Sequence, residues 1–437
     1  MHLRKTAVFA LFSAVLVLAS HSAAQAEGLS FDPERAAELG ASLSEPSMAE
    51  KPGMAVPAEA AIPYDGKPHY LGISHSGDPF DIPDFSLEEV ARMTKGNGGA
   101  YYRPHIPLKE ALPVIDAQHL ARLEAAQENP QEMQALIDEL AENGNWARID
   151  GMINTFVSAG LKLIVVAGCG YQKEAPSILN KDGKPLKVSP GRMGRSLYLA
   201  MLKWYVGAAV RRYGDRVKVW QVENEINTSV THAVAGWRLK DSAWLDRNYQ
   251  ISMLAGLSDV VHQQGARLGY DLKTTQNYST AIVGWEKYIR DSARYVDIVG
   301  IDLYANYFFG WPRADKAQAD NVLKARAASG GKPVWILEAG FADGPKQHLF
   351  SPQTQALYFK GLIDRAFKNG AEVILVFGWF WNPAGWYTDS AKPAPWYAGN
   401  AAEAHWSPLS RDPKTGEIRY GPAWDVFGDA AKKWCSN

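Results

Sequence analysis

From Tyr70 onward the chain alternates short runs rich in β-branched and aromatic residues with longer stretches of helical periodicity, eight times over. Parallel strands need a crossover between them, usually a helix, so this alternation is the pattern of a parallel sheet wrapped by helices. The strand-like runs fall at 70–74, 100–103, 162–167, a run beginning Val217-Lys218-Val219, 267–275, 299–303, 334–337 and 373–377. The first helix is marked by Ser86 and Glu89 as a capping box, with Phe85 and Val90 as a hydrophobic staple. After the second run come Pro104-His105 and a long, partly helical insertion to about Gly144, then a helix with Ile149, Met152, Ile153, Phe156 and Val157 on one face. Further helices are expected over 197–213, 248–264 and 422–434. Eight strand–helix units predict an α/β fold, the (β/α)8 TIM barrel, with function gathered after the strands.

A single barrel accommodates most of the 437 residues, as one catalytic unit over 69–437. Residues 27–68, rich in Ala, Pro, Glu and Ser without a sustained period, read as an arm or linker. Ahead of them, Arg4-Lys5, an apolar run over 7–19 and Ala24-Gln25-Ala26 have the three parts of a secretory signal, so a secreted or periplasmic protein is expected. That run is short for a spanning helix, and no other stretch is long and apolar enough. Lys+Arg 46 against Asp+Glu 47 gives a formal charge of -1, which argues against nucleic acid or an anionic membrane surface as a partner. The two cysteines, Cys169 and Cys435, fall at opposite ends of the expected barrel and are not expected to bond.

Two carboxylates stand out against this frame. Trp220-Gln221-Val222-Glu223-Asn224-Glu225 closes the fourth run in an Asn-Glu pair, and Val334-Trp335-Ile336-Leu337-Glu338-Ala339-Gly340 closes the seventh in a glutamate before a glycine. Burying an unpaired charge costs several kcal/mol, on the order of 3–5, so a carboxylate where a strand gives way to a loop is poorly explained by packing. The ends of strands four and seven face each other across a barrel mouth. Carboxylates paired in this way are what glycoside hydrolysis requires, one protonating the leaving oxygen while the other attacks the anomeric carbon.

With these motifs the chain resembles the retaining glycoside hydrolases of clan A, from Tyr70 to the C-terminus. The resemblance implies Glu225 as general acid/base, Glu338 as nucleophile and Asn224 as donor to the sugar 2-hydroxyl. It further implies that Arg103 and Tyr304 hold Glu338 ionised and oriented, and that Trp379 or Trp381 forms the aromatic floor of the sugar site. Glu223 departs from the apolar residue many members carry there. Alternation puts it on the side of Glu225, deeper, as a buried partner for Arg103 or a lysine. Asp302 is likewise read as a paired interior acid, and His75 and His105 as donors to sugar hydroxyls or as their support.

Trp379, Trp381, Trp386, Tyr387, Trp396, Tyr397 and Trp406 follow the eighth run, and Tyr307, Phe308 and Trp311 the sixth. That density suggests stacking platforms for pyranose rings, and without a basic cluster it favours a neutral β-linked glycan of glucan, mannan or galactan type. No cofactor is expected. A metal-dependent hydrolase would need clustered ligands such as His-x-His after the first strand, where this chain has Ser74-His75-Ser76. The other competing reading is a carbohydrate-binding barrel without turnover.

Overall fold

The computed structural model describes residues 68–75, 85–168, 171, 174–234, 238–305, 314–344, 350–380, 405–412 and 414–435. Residues 1–67, which hold the expected signal and all of the expected arm but Pro68, and Cys169 lie outside them. Eight parallel strands close a ring: β1 Tyr70–Ser74, β2 Tyr101–Arg103, β3 Lys162–Val166, β4 Val219–Gln221, β5 Lys273–Ser279, β6 Ile298–Tyr304, β7 Val334–Gly340 and β8 Ala371–Phe377. Neighbours pair in sequence order, and β1 pairs with both β2 and β8. The outer layer is α1 Leu87–Gly96, α2 Ala147–Ser158, α3 Arg195–Tyr213, α4 Arg247–Leu268, α5 Trp285–Ser292, α6 Asp315–Ala328, α7 Pro352–Lys368 and α8 Pro422–Trp434.

Alternation divides the strand side chains between two cores. Tyr101, Ile164, Val219, Ile298, Trp335, Leu337, Val373 and Leu375 fill the barrel's interior. Their neighbours, among them Tyr102, Leu163, Trp220, Val299, Val334, Ile336 and Ile374, pack outward against the helices. Gly300 on β6 makes room for this inner layer, since a Cβ there would stand 2.5 Å from Leu337 Cδ1. The expected capping box is present at α1: the Glu89 amide donates to Ser86 Oγ at 3.2 Å, and the Ser86 amide to Glu89 Oε2 at 2.9 Å.

The insertion between β2 and α2 forms helices Leu108–Ala111, Ala117–Ala126 and Pro130–Asn143. They cover α3, which explains why α3 is buried nearly all round, with Tyr198, Met201, Trp204, Tyr205 and Val206 inside. Trp204 Nε1 donates to the Leu136 carbonyl at 2.7 Å, fixing the insertion to that helix. Strand five departs from expectation. Arg267 and Leu268 close α4, Gly269 stops it at φ +73, and the strand runs Lys273–Ser279. Its polar Thr275 and Asn277 hide it from a hydrophobic reading because those side chains face the interior of the mouth. Cys435 carries a free thiol.

Candidate active site

Arg103, the last residue of β2, organises the mouth. It is fully buried, and each nitrogen of its guanidinium is used: Nε donates to Gln221 Oε1 at 2.6 Å, Nη1 to Ser74 Oγ at 2.8 Å and Glu338 Oε1 at 2.7 Å, and Nη2 to Asn224 Oδ1 at 2.6 Å. One planar fork thereby ties β1, β2, β4 and β7 together, a geometry that lysine cannot reproduce. Tyr304, ending β6, donates its hydroxyl to the other oxygen of Glu338. Burial and the nearby Glu338 push the Tyr304 phenol well above its ordinary range, so it stays a donor.

A bulge aims Glu338. Up to Ile336, β7 pairs residue for residue with β6, and then Glu338 stands opposite Asp302, so that Leu337 is the extra residue. Strict alternation would send Glu338 outward after the interior Leu337; the extra residue turns both inward. Burial raises the Glu338 carboxyl above its ordinary value, with Glu225 adding to the rise and Arg103 and Tyr304 opposing it. Arg103 and Tyr304 thus orient the carboxyl and favour its charged form against the desolvation that opposes it.

Glu225 is held by its backbone. At φ 42 and ψ 54 it is the one non-glycine residue with positive φ among those described. Its amide donates to Asn277 Oδ1 at 2.8 Å, and its carbonyl accepts from the amide and hydroxyl of Thr228. Its Oε2 lies 3.1 Å from His232 Nε2. Burial opposes its charge, but hydrogen bonds from His232, Asp302 and Ser279 prevail and hold the carboxyl below its ordinary value. Burial likewise depresses His232, so the neutral ring donates to Glu225. Asn224 donates to the Tyr171 hydroxyl at 2.7 Å, and its Oδ1 accepts from Arg103 and from Asn277 at 2.9 Å.

The structure thus brings Glu225, Glu338, Asn224, Arg103 and Tyr304 to one mouth. His105 is fully buried, with Nδ1 3.3 Å from Glu174 and Nε2 without a partner among the described residues. His75 is buried at the end of β1, its amide donating to the Arg103 carbonyl at 3.1 Å. Trp379 does not join them. Its ring packs outside the barrel against Phe359 of α7 and Trp424 and Phe427 of α8, so it is core rather than sugar floor. Trp381 lies outside the described residues, as do Trp386, Tyr387, Trp396, Tyr397, Tyr307, Phe308 and Trp311. Trp406 is buried behind Tyr304 at a centroid distance of 5.4 Å, supporting the site rather than presenting a face to it.

Glu223 pairs with Arg238 at 2.9 Å, both fully buried, and not with Arg103 or a lysine; the loop after β4 folds back and supplies the cation itself. Asp302, expected to pair with a cation, instead faces Asn277, Glu225 and Glu338. Gln221, Asn277, Tyr171 and His232 were not singled out from the sequence. The two-residue spacing of Gln221, Glu223 and Glu225 is a signal that could have found the first, whereas nothing in the local pattern marks the rest. Among the described residues no cluster of His, Cys, Asp and Glu could hold a metal ion, and no helix is long and apolar enough to cross a membrane.

The closed ring and the acids at its mouth define a (β/α)8 barrel with a carboxylate-lined site at the C-terminal ends of its strands. No protein-family model matches the sequence, and no curated protein does. Among solved structures, the chain is similar to the β-glycosidase of Thermosphaera aggregans, at TM-score 0.54 and 12% identity over 85% of this chain and 97% of that one. It is also similar to a hyperthermophilic β-glucosidase of Pyrococcus furiosus, at TM-score 0.52 and 14% identity over 85% and 96% of the two chains. At such identities the likeness is one of fold.

Proposed function

We propose that this protein is a retaining β-glycosidase, with Glu338 as nucleophile and Glu225 as general acid/base. The observation that carries the reading is the convergence of these two glutamates, from the ends of β7 and β4, on one buried mouth, with Arg103 and Tyr304 both bonded to Glu338. Glu338 attacks the anomeric carbon while Glu225 protonates the departing oxygen. A water activated by Glu225 then releases the sugar. Arg103 keeps the carboxylate oriented in both steps, and the Tyr304 hydroxyl steadies its other oxygen. Asn224 is the group nearest in sequence to the acid that would reach a sugar 2-hydroxyl. The residues present call for no cofactor.

The absence of a basic cluster in the aromatic-rich loop sequences supports a neutral β-linked oligo- or polysaccharide, and the sequence of 1–26 supports export. Hydrolysis of a panel of aryl β-glycosides and of β-glucans, mannans and galactans identifies the sugar. The anomer first released, followed by proton NMR, tests the mechanism: retention is expected, and inversion removes the covalent step. Glu338→Ala should lower the rate on the order of 10⁴-fold or more, the scale of losing a covalent nucleophile, with activity returning in azide as a glycosyl azide. An undiminished rate removes Glu338 from the reaction. A purified chain that binds these glycans without turning them over is instead a carbohydrate-binding barrel.

A further inference from the structure

Three carboxyl groups, not two, meet at this mouth. Asp302 on β6 is 1% exposed, stands in register opposite Glu338, and lies within hydrogen-bond reach of the Glu225 carboxyl. Its Oδ2 accepts from Asn277 Nδ2 at 2.6 Å, while Oδ1 receives a hydrogen bond from no donor among the described residues. Its charged and titratable neighbours come from every side: Arg103 of β2, Glu338 of β7, Tyr304 of its own strand, and Glu225 with His232 behind it on the segment after β4. None of these offers Asp302 a donor. Arg103 is committed to Gln221, Ser74, Glu338 and Asn224, Tyr304 gives its hydroxyl to Glu338, and His232 meets Glu225. Two buried carboxyl groups within hydrogen-bond reach, one with an oxygen that meets no protein donor among the described residues, favour a proton shared between them.

We infer that Asp302 is a neutral carboxylic acid hydrogen-bonded to Glu225, a positioning residue that stores the proton Glu225 delivers to the leaving group. The inference rests on the reading of Glu225 as general acid and supplies what that reading lacks. An acid held below its ordinary value is ionised at neutral pH and has no proton of its own to give. Burial, together with Glu338 and Glu225, lifts Asp302 well above the ordinary carboxylate range, in keeping with this arrangement.

The transfer balances. The O–H bond of Asp302 breaks as its proton passes to Glu225, leaving an Asp302 carboxylate that Asn277 solvates. Glu225 gives the proton to the glycosidic oxygen as the bond to the anomeric carbon breaks and Glu338 bonds to that carbon. In the second half, water loses a proton to Glu225 while its oxygen displaces Glu338, and the proton returns to Asp302.

The test uses the full chain labelled with ¹³C at the aspartate carboxyl carbons and titrated without substrate. One aspartate signal should keep its protonated position at neutral pH and vanish in Asp302→Asn; if every aspartate signal of the unaltered protein is at its ionised position, the inference is overturned. In D302N, Glu225 is left beside neutral donors and loses its proton earlier, so the alkaline limb of kcat/KM should move to lower pH. At neutral pH, glycosides with poor leaving groups should lose about 10²-fold or more, and activated aryl glycosides less than about tenfold, the signature of lost proton delivery. Equal losses on both overturn the relay. A protonated signal in a protein inactive on every glycoside overturns the hand-off together with the glycosidase reading, whereas an active enzyme whose aspartates are all ionised overturns Asp302 alone.

Discussion

At Glu225 the chain accepts a left-handed backbone that glutamate disfavours, and three bonds hold it there: its amide to Asn277 and its carbonyl to the amide and hydroxyl of Thr228. A side chain at φ 42 is strained by its Cβ, which glycine lacks. Glu225→Gly should therefore be more stable than Glu225→Ala by about 1 kcal/mol, although both lose the acid/base. Urea midpoints of the two variants check this, and equal midpoints would mean that the local backbone relaxes at no cost. Glu225 and Glu338 were legible because each is a carboxylate ending a strand-like run, whereas Arg103 and Tyr304 were expected at the mouth only through the resemblance to clan A hydrolases. Asn277 was not, since an interior polar residue makes its own strand look like a loop. His232 reaches Glu225 through a turn whose path no periodicity describes.

Strands and helices assign side chains to compartments, and at two places that assignment overrode a plausible reading. Trp379, immediately after the turn at Gly378, belongs to the layer between β8, α7 and α8. Trp379→Ala should cost about 3–5 kcal/mol, as large-to-small changes in a core do. The thermal midpoint of the variant should drop while KM, measured on the folded fraction, stays near the parent value; a raised KM with unchanged stability would return Trp379 to the sugar site. On β7 the element itself is irregular. The extra residue at Leu337 makes two consecutive side chains face inward, so a period-two count alone would have sent Glu338 to the helices. Where an element is regular and two-sided, as in α1 or α8, sequence and structure agree, and α8 spans Pro422–Trp434 as expected.

At the scale of the molecule, the buried acids give stability a pH dependence whose sign depends on the group. Asp302 and Glu338 are raised in the folded protein, so above the ordinary carboxylate value, about 4, they retain protons that the unfolded chain has released. Their contribution falls as pH rises through that point toward their folded values. Asp150, bonded to Arg212, and Asp246, capping α4 at the amide of Tyr249, are depressed. Their stabilisation is present above about 4 and lost as pH falls through their folded values. Replacing Asp302 by Asn removes one group of the first kind. The stability of D302N relative to the parent should thus increase between pH ~4 and neutrality, read from urea midpoints at stepped pH. A difference that stays flat over that range would show that Asp302 titrates as it does in the unfolded chain.

The sequence by itself determined the number and order of the strand–helix units, and so the closed ring of eight parallel strands, although the polar interior residues of strand five displaced its expected bounds. It also placed Glu225 and Glu338 where the fourth and seventh strands give way to loops, and so two of the acids that gather at the mouth. Only the tertiary structure decided how those groups are paired: Glu223 with Arg238, Asp302 with Glu225, Trp379 with the helices. Such partners come from segments far apart in the chain or from irregular turns, where distance and burial, rather than any repeat, choose who meets whom.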